Sequence, residues 1–123
     1  MPITDIKIYQ KDTGHAPLLE WLDSLPSKAR IKCFVKIELL SEQGYALRRP
    51  HCDFLKDGIY ELRIRYKTEQ LRILYAFHDK NAVLLTHGIT KEKTVPEEEI
   101  RRAVTYLNIF IENPQKHTCR ERL

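Results

Sequence analysis

Residues 55–87 read LKDGIYELRIRYKTEQLRILYAFHDKNAVLLTH, and this stretch decides the fold. It predicts three short strands, at about 58–66, 71–78 and 82–87, joined by tight polar turns. In the first two strands apolar residues alternate with arginine, so one face is apolar and the other cationic. The arginines of this pattern are Arg63, Arg65 and Arg72. The sequence therefore predicts a small sheet that buries one face and lines the other with guanidinium groups, which bind phosphate well.

The residues before this stretch predict one strand and two helices. ITDIKIY, residues 3–9, alternates as a strand does. Apolar residues then recur at helical spacing over 17–25. Ser27 is the predicted N-cap of a second helix, which ends near Gly44. Residues 45–54, YALRRPHCDF, are predicted to form a loop that crosses to the sheet.

The residues after this stretch predict a loop, a helix and a tail. GITKEKT, residues 88–94, is a loop with two lysines, and Thr94 with Glu97 matches a capping box for a helix over 95–112. Residues 113–123 are polar and predicted to be flexible. The order β-α-α-β-β-β-α predicts an α+β two-layer domain with a small, mainly antiparallel sheet, two N-terminal helices and a C-terminal helix.

Composition limits the class of protein. The chain has 123 residues, 42% of them hydrophobic, which predicts a single domain over residues 1–123. The net charge of +4 fits an anionic partner without naming one. Three cysteines, an odd number without CxxC spacing, are interpreted as reduced thiols of a cytoplasmic protein. We expect no membrane contact, since no apolar run approaches the ~20 residues of a membrane span.

Three motifs carry a resemblance to a known family. They are LKDGIYELR at 55–63, LRILY at 71–75 and HGITKEKTVP at 87–96, followed by an acidic helix. In this order and spacing the chain resembles the RelE/HigB-type toxins of type II toxin–antitoxin systems, in the branch also described as phage-derived Gp49-like proteins. The resemblance extends from Gly44 to about Tyr106.

The resemblance implies a small endoribonuclease that needs no metal and no cofactor and cleaves mRNA, often in the ribosomal A site. It also implies a helix-turn-helix antitoxin, HigA-like, as the cognate partner. The family often has Phe where this chain has Ile89, and adjacent lysines where this chain has Lys91-Glu92-Lys93. This departure leaves open which lysine takes the catalytic position.

Metal-independent RNA cleavage has clear chemical requirements. The 2′-OH attacks the adjacent phosphate, so the enzyme must remove one proton, stabilise the dianionic phosphorane and protonate the leaving oxygen. Arg63 and Arg72, on adjacent strands, are the candidates for stabilising the phosphorane. Lys91 or Lys93 is a candidate base, since lysines near arginines give up a proton more readily. His87, at the end of the last strand, is an alternative acid or base.

Further residues are candidates for binding RNA. Arg65 lies two residues from Arg63 and could hold the next phosphate. Arg48 and Arg49 could contact a phosphate or simply be exposed. Tyr66 is a candidate for base stacking. Tyr106 could stack or donate a proton, or could pack at the rim of the core.

Two alternatives to the nuclease remain open from the sequence. The chain could be a non-catalytic RNA- or ribosome-binding module, or a decayed toxin that only binds its antitoxin. No metal site is predicted, because the five histidines give no ligand spacing and only His117-x-Cys119 hints at a metal.

Overall fold

The computed structural model describes residues 3–79, 81–90 and 93–120, and these form five strands and three helices. The strands are β1 (Asp5–Ile8), β2 (Cys52–Lys56), β3 (Ile59–Tyr66), β4 (Glu69–Asp79) and β5 (Ala82–Thr90). The helices are α1 (Pro17–Asp23), α2 (Ser27–Gln43) and α3 (Glu97–Glu112), with a 3₁₀ turn at Gly44–Ala46. Within the described ranges, no helix is long and apolar enough to cross a membrane.

The strands form one sheet in the order β1-β5-β4-β3-β2. Strands β2 to β5 are an antiparallel meander, and β1 pairs in parallel with β5 at the opposite edge from β2. The α+β class, the mainly antiparallel sheet and the positions of the three helices are confirmed.

Strand β2 differs from the sequence expectation, which predicts a loop over residues 45–54. It forms a hairpin with β3 through Asp57-Gly58, and Lys56 pairs with Ile59. Both turn residues have positive φ, 53° and 81°, as a type I′ turn requires. Asp-Gly between two strands is a strong hairpin signal, so the sequence contains the evidence for this strand.

Helices cover both faces of the sheet, so the arrangement has one more layer than predicted. On one face the apolar residues of β3, β4 and β5 pack against α1 and α2. On the other face Ile59, Leu74 and Ala76 pack against Ile100 and Ala103 of α3. The extra layer arises because the strands carry buried apolar residues on both faces, and the arginines occupy only part of the α3 face.

The helix starts differ from the predicted caps. Pro26, and not Ser27, is the N-cap of α2, and Pro96, and not Thr94, is the N-cap of α3. Neither helix has a side-chain capping hydrogen bond. Strand β5 continues to Thr90, so part of the predicted 88–94 loop is strand.

The C-terminal segment contacts the end of β1 and the residues that follow it. Tyr9 forms a β-bridge with Thr118, and the Cys119 amide donates to the Ile8 carbonyl at 2.7 Å. His117 is buried, and its Nδ1 lies 2.9 Å from the Gln10 carbonyl oxygen. Residues 117–119 therefore contact residues 8–10 through the backbone and the His117 side chain.

The three cysteines are free thiols, as predicted. Cys33 and Cys52 are buried, and Cys119 is partly exposed. Burial raises the pKa of the Cys33 thiol to about 12, which keeps it protonated and unreactive at neutral pH.

Candidate functional site

The α3 face of the sheet carries two arginines that share one carboxylate. Arg63 and Arg72 lie on one face of adjacent strands and are directly paired across β3 and β4. Glu61 lies on the same face and is only 2% exposed. Its Oε1 accepts from Arg72 Nη1 at 2.6 Å, and its Oε2 accepts from Arg63 Nε and Nη2 at 3.0 and 2.9 Å. One buried anion therefore holds two guanidinium groups in place.

The chain of ion pairs continues in both directions. Asp53 Oδ2 accepts from Arg63 Nη2 at 3.2 Å and from Arg49 Nη2 at 2.8 Å. The bond from Arg49 lowers the pKa of the Asp53 carboxyl, while partial burial acts in the opposite direction. At the other end Arg72 Nη2 donates to the Lys93 carbonyl at 2.6 Å. We call this set the arginine–carboxylate row: Arg49, Asp53, Arg63, Glu61 and Arg72.

The two central arginines differ in access to solvent. Arg63 has 35% of its side chain exposed, whereas Arg72 has 9%. Arg72 Nε is buried and has no hydrogen-bond partner among the described residues. The sequence predicted that both forks point at one phosphate, but in the structure both point at Glu61. The reason is that α3 and the carboxylate enclose Arg72.

His87 lies beneath α3, beside the row. Its Nε2 is 3.0 Å from Glu99 Oε1, and its Nδ1 is 3.1 Å from Thr86 Oγ1. Burial lowers the pKa of His87, and the hydrogen bond to Glu99 opposes part of this effect. Tyr106 lies edge-on to the His87 ring at 5.6 Å and stacks on Tyr9 at 4.5 Å. Of the two predicted site residues on this side, His87 is therefore buried and Tyr106 is half-buried between Tyr9 and His87.

The other candidates are distributed over both faces. Lys93 is exposed, and its backbone is tied to the row, while Lys91 lies outside the described residues. Arg65 is exposed on the same face as Arg63. Tyr66 lies on the opposite face and packs against the core beneath α1 and α2. Tyr66 is therefore not brought together with the row.

Arg48 and Arg49 lie at a cleft of about 520 Å³ near the β2 edge. Arg48 Nη1 donates to the carbonyl oxygens of Tyr45 and Leu47. We call this depression the aromatic cleft, and it is lined by Gly44, Tyr45, Leu47, Arg48, Arg49, Cys52, Asp53, Phe54, Tyr60, Tyr75 and Phe77.

Sequence reasoning missed the acidic partners of the arginines. Glu61 precedes Arg63 by two residues, so strand alternation places both on one face, and that spacing could have identified it. Asp53 lies on the strand that was interpreted as a loop. Glu99 reaches His87 only because α3 packs on this face, which no local pattern reveals. No group of three or more potential metal ligands occurs among the residues that the structure describes.

The fold and the row define a small α+β protein with an arginine-rich, carboxylate-braced sheet face. The model of the family described as "Phage derived protein Gp49-like (DUF891)" matches residues 20–108, which is most of the chain and includes β2 to β5. The chain therefore belongs to this Gp49-like family, a family of toxin-like proteins of toxin–antitoxin systems. Such membership implies an antitoxin as partner. No curated protein gives a significant match.

Proposed function

We propose that this protein is the toxin of a type II toxin–antitoxin pair and cleaves mRNA on the ribosome as a metal-independent endoribonuclease. The observation that carries the proposal is the direct pairing of Arg63 with Arg72 across two strands of a rigid sheet. Membership of the Gp49-like family supports the toxin class. The resemblance to RelE/HigB-type toxins supports RNA as the substrate and a HigA-like helix-turn-helix protein as the antitoxin.

Arg63 is the residue proposed to contact the scissile phosphate. Its fork is partly exposed and fixed by Glu61 and Asp53, so it is oriented before substrate arrives. Such a preorganised cation stabilises the phosphorane that forms when the 2′-OH attacks. Arg65, on the same face, would hold the neighbouring phosphate. The products would be a 2′,3′-cyclic phosphate and a 5′-OH.

Arg72 is proposed to position other groups. Arg72 is buried, and its Nη1 donates to Glu61. Its Nη2 donates to the Lys93 carbonyl and so fixes the segment before α3 beside the row. Lys93 is therefore the best-placed candidate for proton transfer, with Lys91 as the other lysine candidate. His87 is enclosed by Glu99 and Tyr106, so it would reach RNA only if α3 moved.

The test is inducible expression in a bacterium, comparing wild type with Arg63→Ala while RNA 5′ ends are mapped. We expect growth arrest with in-frame mRNA cuts that carry 5′-OH ends, and a loss of about 10²–10³ in cleavage rate in the variant. Lys28→Ala is the matched control, because it removes one exposed positive charge on α2, away from the row. Equal toxicity of the Arg63 and Lys28 variants would contradict the proposal.

A second candidate function is a non-catalytic RNA- or ribosome-binding module, or a toxin that only binds its antitoxin. The observation that favours it is that carboxylates already neutralise the forks of Arg63 and Arg72. This candidate predicts RNA binding without cleavage by folded wild-type protein. Products with a 2′,3′-cyclic phosphate would exclude it.

A further inference from the structure

The aromatic cleft borders the arginine–carboxylate row and shares Arg49 and Asp53 with it, but none of its lining residues is proposed to contact the scissile phosphate. Its volume of about 520 Å³ is in the range of small-ligand sites. It lies at the β2 edge of the sheet, whereas the proposed catalytic arginine lies on the α3 face. Its lining combines five aromatic rings with two arginines.

Two of the aromatic rings present open surface. Tyr45 is 58% exposed although it stacks on Phe77 with ring centroids 3.7 Å apart and planes within 11°. One face of the Tyr45 ring is covered by Phe77, so the exposed area lies on the other face and the edge. Phe54 is 52% exposed and meets Tyr60 edge-on at 5.1 Å. Exposed, laterally supported rings of this kind are platforms for nucleobase stacking.

The arginines of the cleft keep hydrogen-bond donors available. Arg48 uses Nη1 for two backbone carbonyls, and no described residue bonds its Nε or Nη2. Arg49 uses Nη2 for Asp53, and no described residue bonds its other two nitrogens. A guanidinium held at one nitrogen and open at the others is suited to bidentate contact with a phosphate.

We infer that the aromatic cleft is a nucleotide-binding site, with the base against Tyr45 and Phe54 and the phosphate at Arg48 and Arg49. Rings alone would fit many apolar groups, and arginines alone would fit any anion, but a nucleotide satisfies both at once. A free nucleotide and one nucleotide of a single-stranded RNA share this chemistry.

The cleft is joined to the proposed catalytic arginine by one carboxylate. Asp53 Oδ2 lies 2.8 Å from Arg49 Nη2 and 3.2 Å from Arg63 Nη2. The cleft rings Tyr60, Tyr75 and Phe77 lie on the α1/α2 face, so an RNA strand whose scissile phosphate lies at Arg63 would pass round the β2 edge, along Asp53 and Arg49, to place a nearby nucleotide at the cleft. This step rests on the proposed function, and it makes the cleft a subsite that selects the sequence or the conformation of the cut strand.

The test uses Tyr45→Trp as a reporter, because a stacked base quenches indole fluorescence. The full chain is titrated with a 2′-O-methyl RNA hexamer, which cannot be cut, and separately with adenosine and cytidine 5′-monophosphates. We expect saturable quenching that wild-type protein, with Trp21 alone, does not show. Quenching by the hexamer at concentrations at least about tenfold lower indicates a strand, whereas equal quenching by the monophosphates indicates a free nucleotide; both support the site.

Variants of the lining give the second measurement, by anisotropy of a labelled hexamer. Tyr45→Leu should weaken binding roughly 5- to 150-fold, the effect of one lost stacked base, and Arg48→Ala with Arg49→Ala should weaken it further. Lys28→Ala should bind as wild type. Absence of quenching in folded Tyr45→Trp protein, or unchanged binding by Tyr45→Leu, would overturn the inference, and an antitoxin segment would then be the better occupant.

The nucleotide site and the nuclease activity can be disproved independently of each other. Binding at the cleft without mRNA cuts in cells would leave the nucleotide site standing and remove the nuclease. Arg63-dependent cuts in mRNA without nucleotide binding at the cleft would support the nuclease and exclude the nucleotide site.

Discussion

At the scale of single residues, Glu61 determines how the arginines of the sheet are arranged. The pairing of β3 with β4 places Arg63 and Arg72 side by side, where their like charges repel. Glu61 offsets that repulsion by accepting three hydrogen bonds from the pair while almost fully buried. A buried ion network of this kind depends on all its members, because removing one leaves a charge without its partner.

Glu61→Ala should therefore lower the free energy of unfolding by about 3–5 kcal/mol, the usual cost of leaving a buried charge unpaired. Glu61→Gln keeps the shape and one acceptor, so its loss should be smaller. Urea denaturation followed by circular dichroism measures both. The control is Glu38→Ala, an exposed residue of α2, which should change stability by no more than about 0.5 kcal/mol. Equal effects at the two positions would contradict the role of Glu61.

His87 should make stability depend on pH. Because burial lowers its pKa, the unfolded chain binds more protons than the folded protein between that lowered pKa and the usual value of about 6.5. The contribution of neutral His87 to the free energy of unfolding is thus fully present above about pH 6.5, and it is lost as the pH falls toward the pKa of His87 in the folded protein. His87→Gln should flatten the change in stability between about pH 5.5 and 7.5, measured by urea denaturation at each pH. Identical pH dependence in the two proteins would count against this assignment.

At the scale of elements, α1 is tied to β5 by a close contact at Gly88. A Cβ added to Gly88 would overlap the indole ring of Trp21. The same indole donates from Nε1 to Thr90 Oγ1 at 2.8 Å. The small residue and the hydrogen bond together fix the helix on the strand.

Gly88→Ala should displace Trp21 and cost about 1–3 kcal/mol of stability, as overpacking usually does. Trp21 is the single tryptophan of the chain, so its fluorescence reports the displacement directly. In a Trp21→Ala background the same substitution should add almost nothing, because the clash is gone. A full additional loss in that background would show that the clash is not the cause.

The elements also show what the sequence could predict. The three strands after Gly58 and the three helices follow from periodicity. Alternation places Arg63 and Arg72 on one face, but their direct pairing depends on the strand register, which alternation does not give. The predicted cap at Thr94 is wrong because the residue before a proline is disfavoured in helical conformation, so Val95 cannot readily be the first helical residue; Pro96 is itself extended, and α3 starts at Glu97. The burial of Arg72 and His87 was not predictable, because it depends on which face of the sheet α3 covers.

At the scale of the whole molecule, the net charge of +4 and the exposed arginines should make RNA binding depend on salt. If the protein contacts three or four phosphates, raising the salt concentration from 50 to 200 mM should weaken its binding of a single-stranded RNA about 20- to 50-fold. The measurement is anisotropy of the uncleavable hexamer at several salt concentrations. Arg65→Ala should reduce the slope by roughly one phosphate contact, and an unchanged slope would exclude Arg65 from the interface.

The position of β1 has a consequence for how the molecule is made. Its parallel partner β5 and the bridge from Tyr9 to Thr118 both lie far along the chain. The meander from β2 to β5 needs only neighbouring segments, and local pairings form first. We therefore expect the arginine-bearing strands β3 and β4 to pair before β1 pairs with β5. A folding intermediate would then expose much of the arginine-bearing face of the sheet before β1 pairs with β5 and Tyr9 with Thr118.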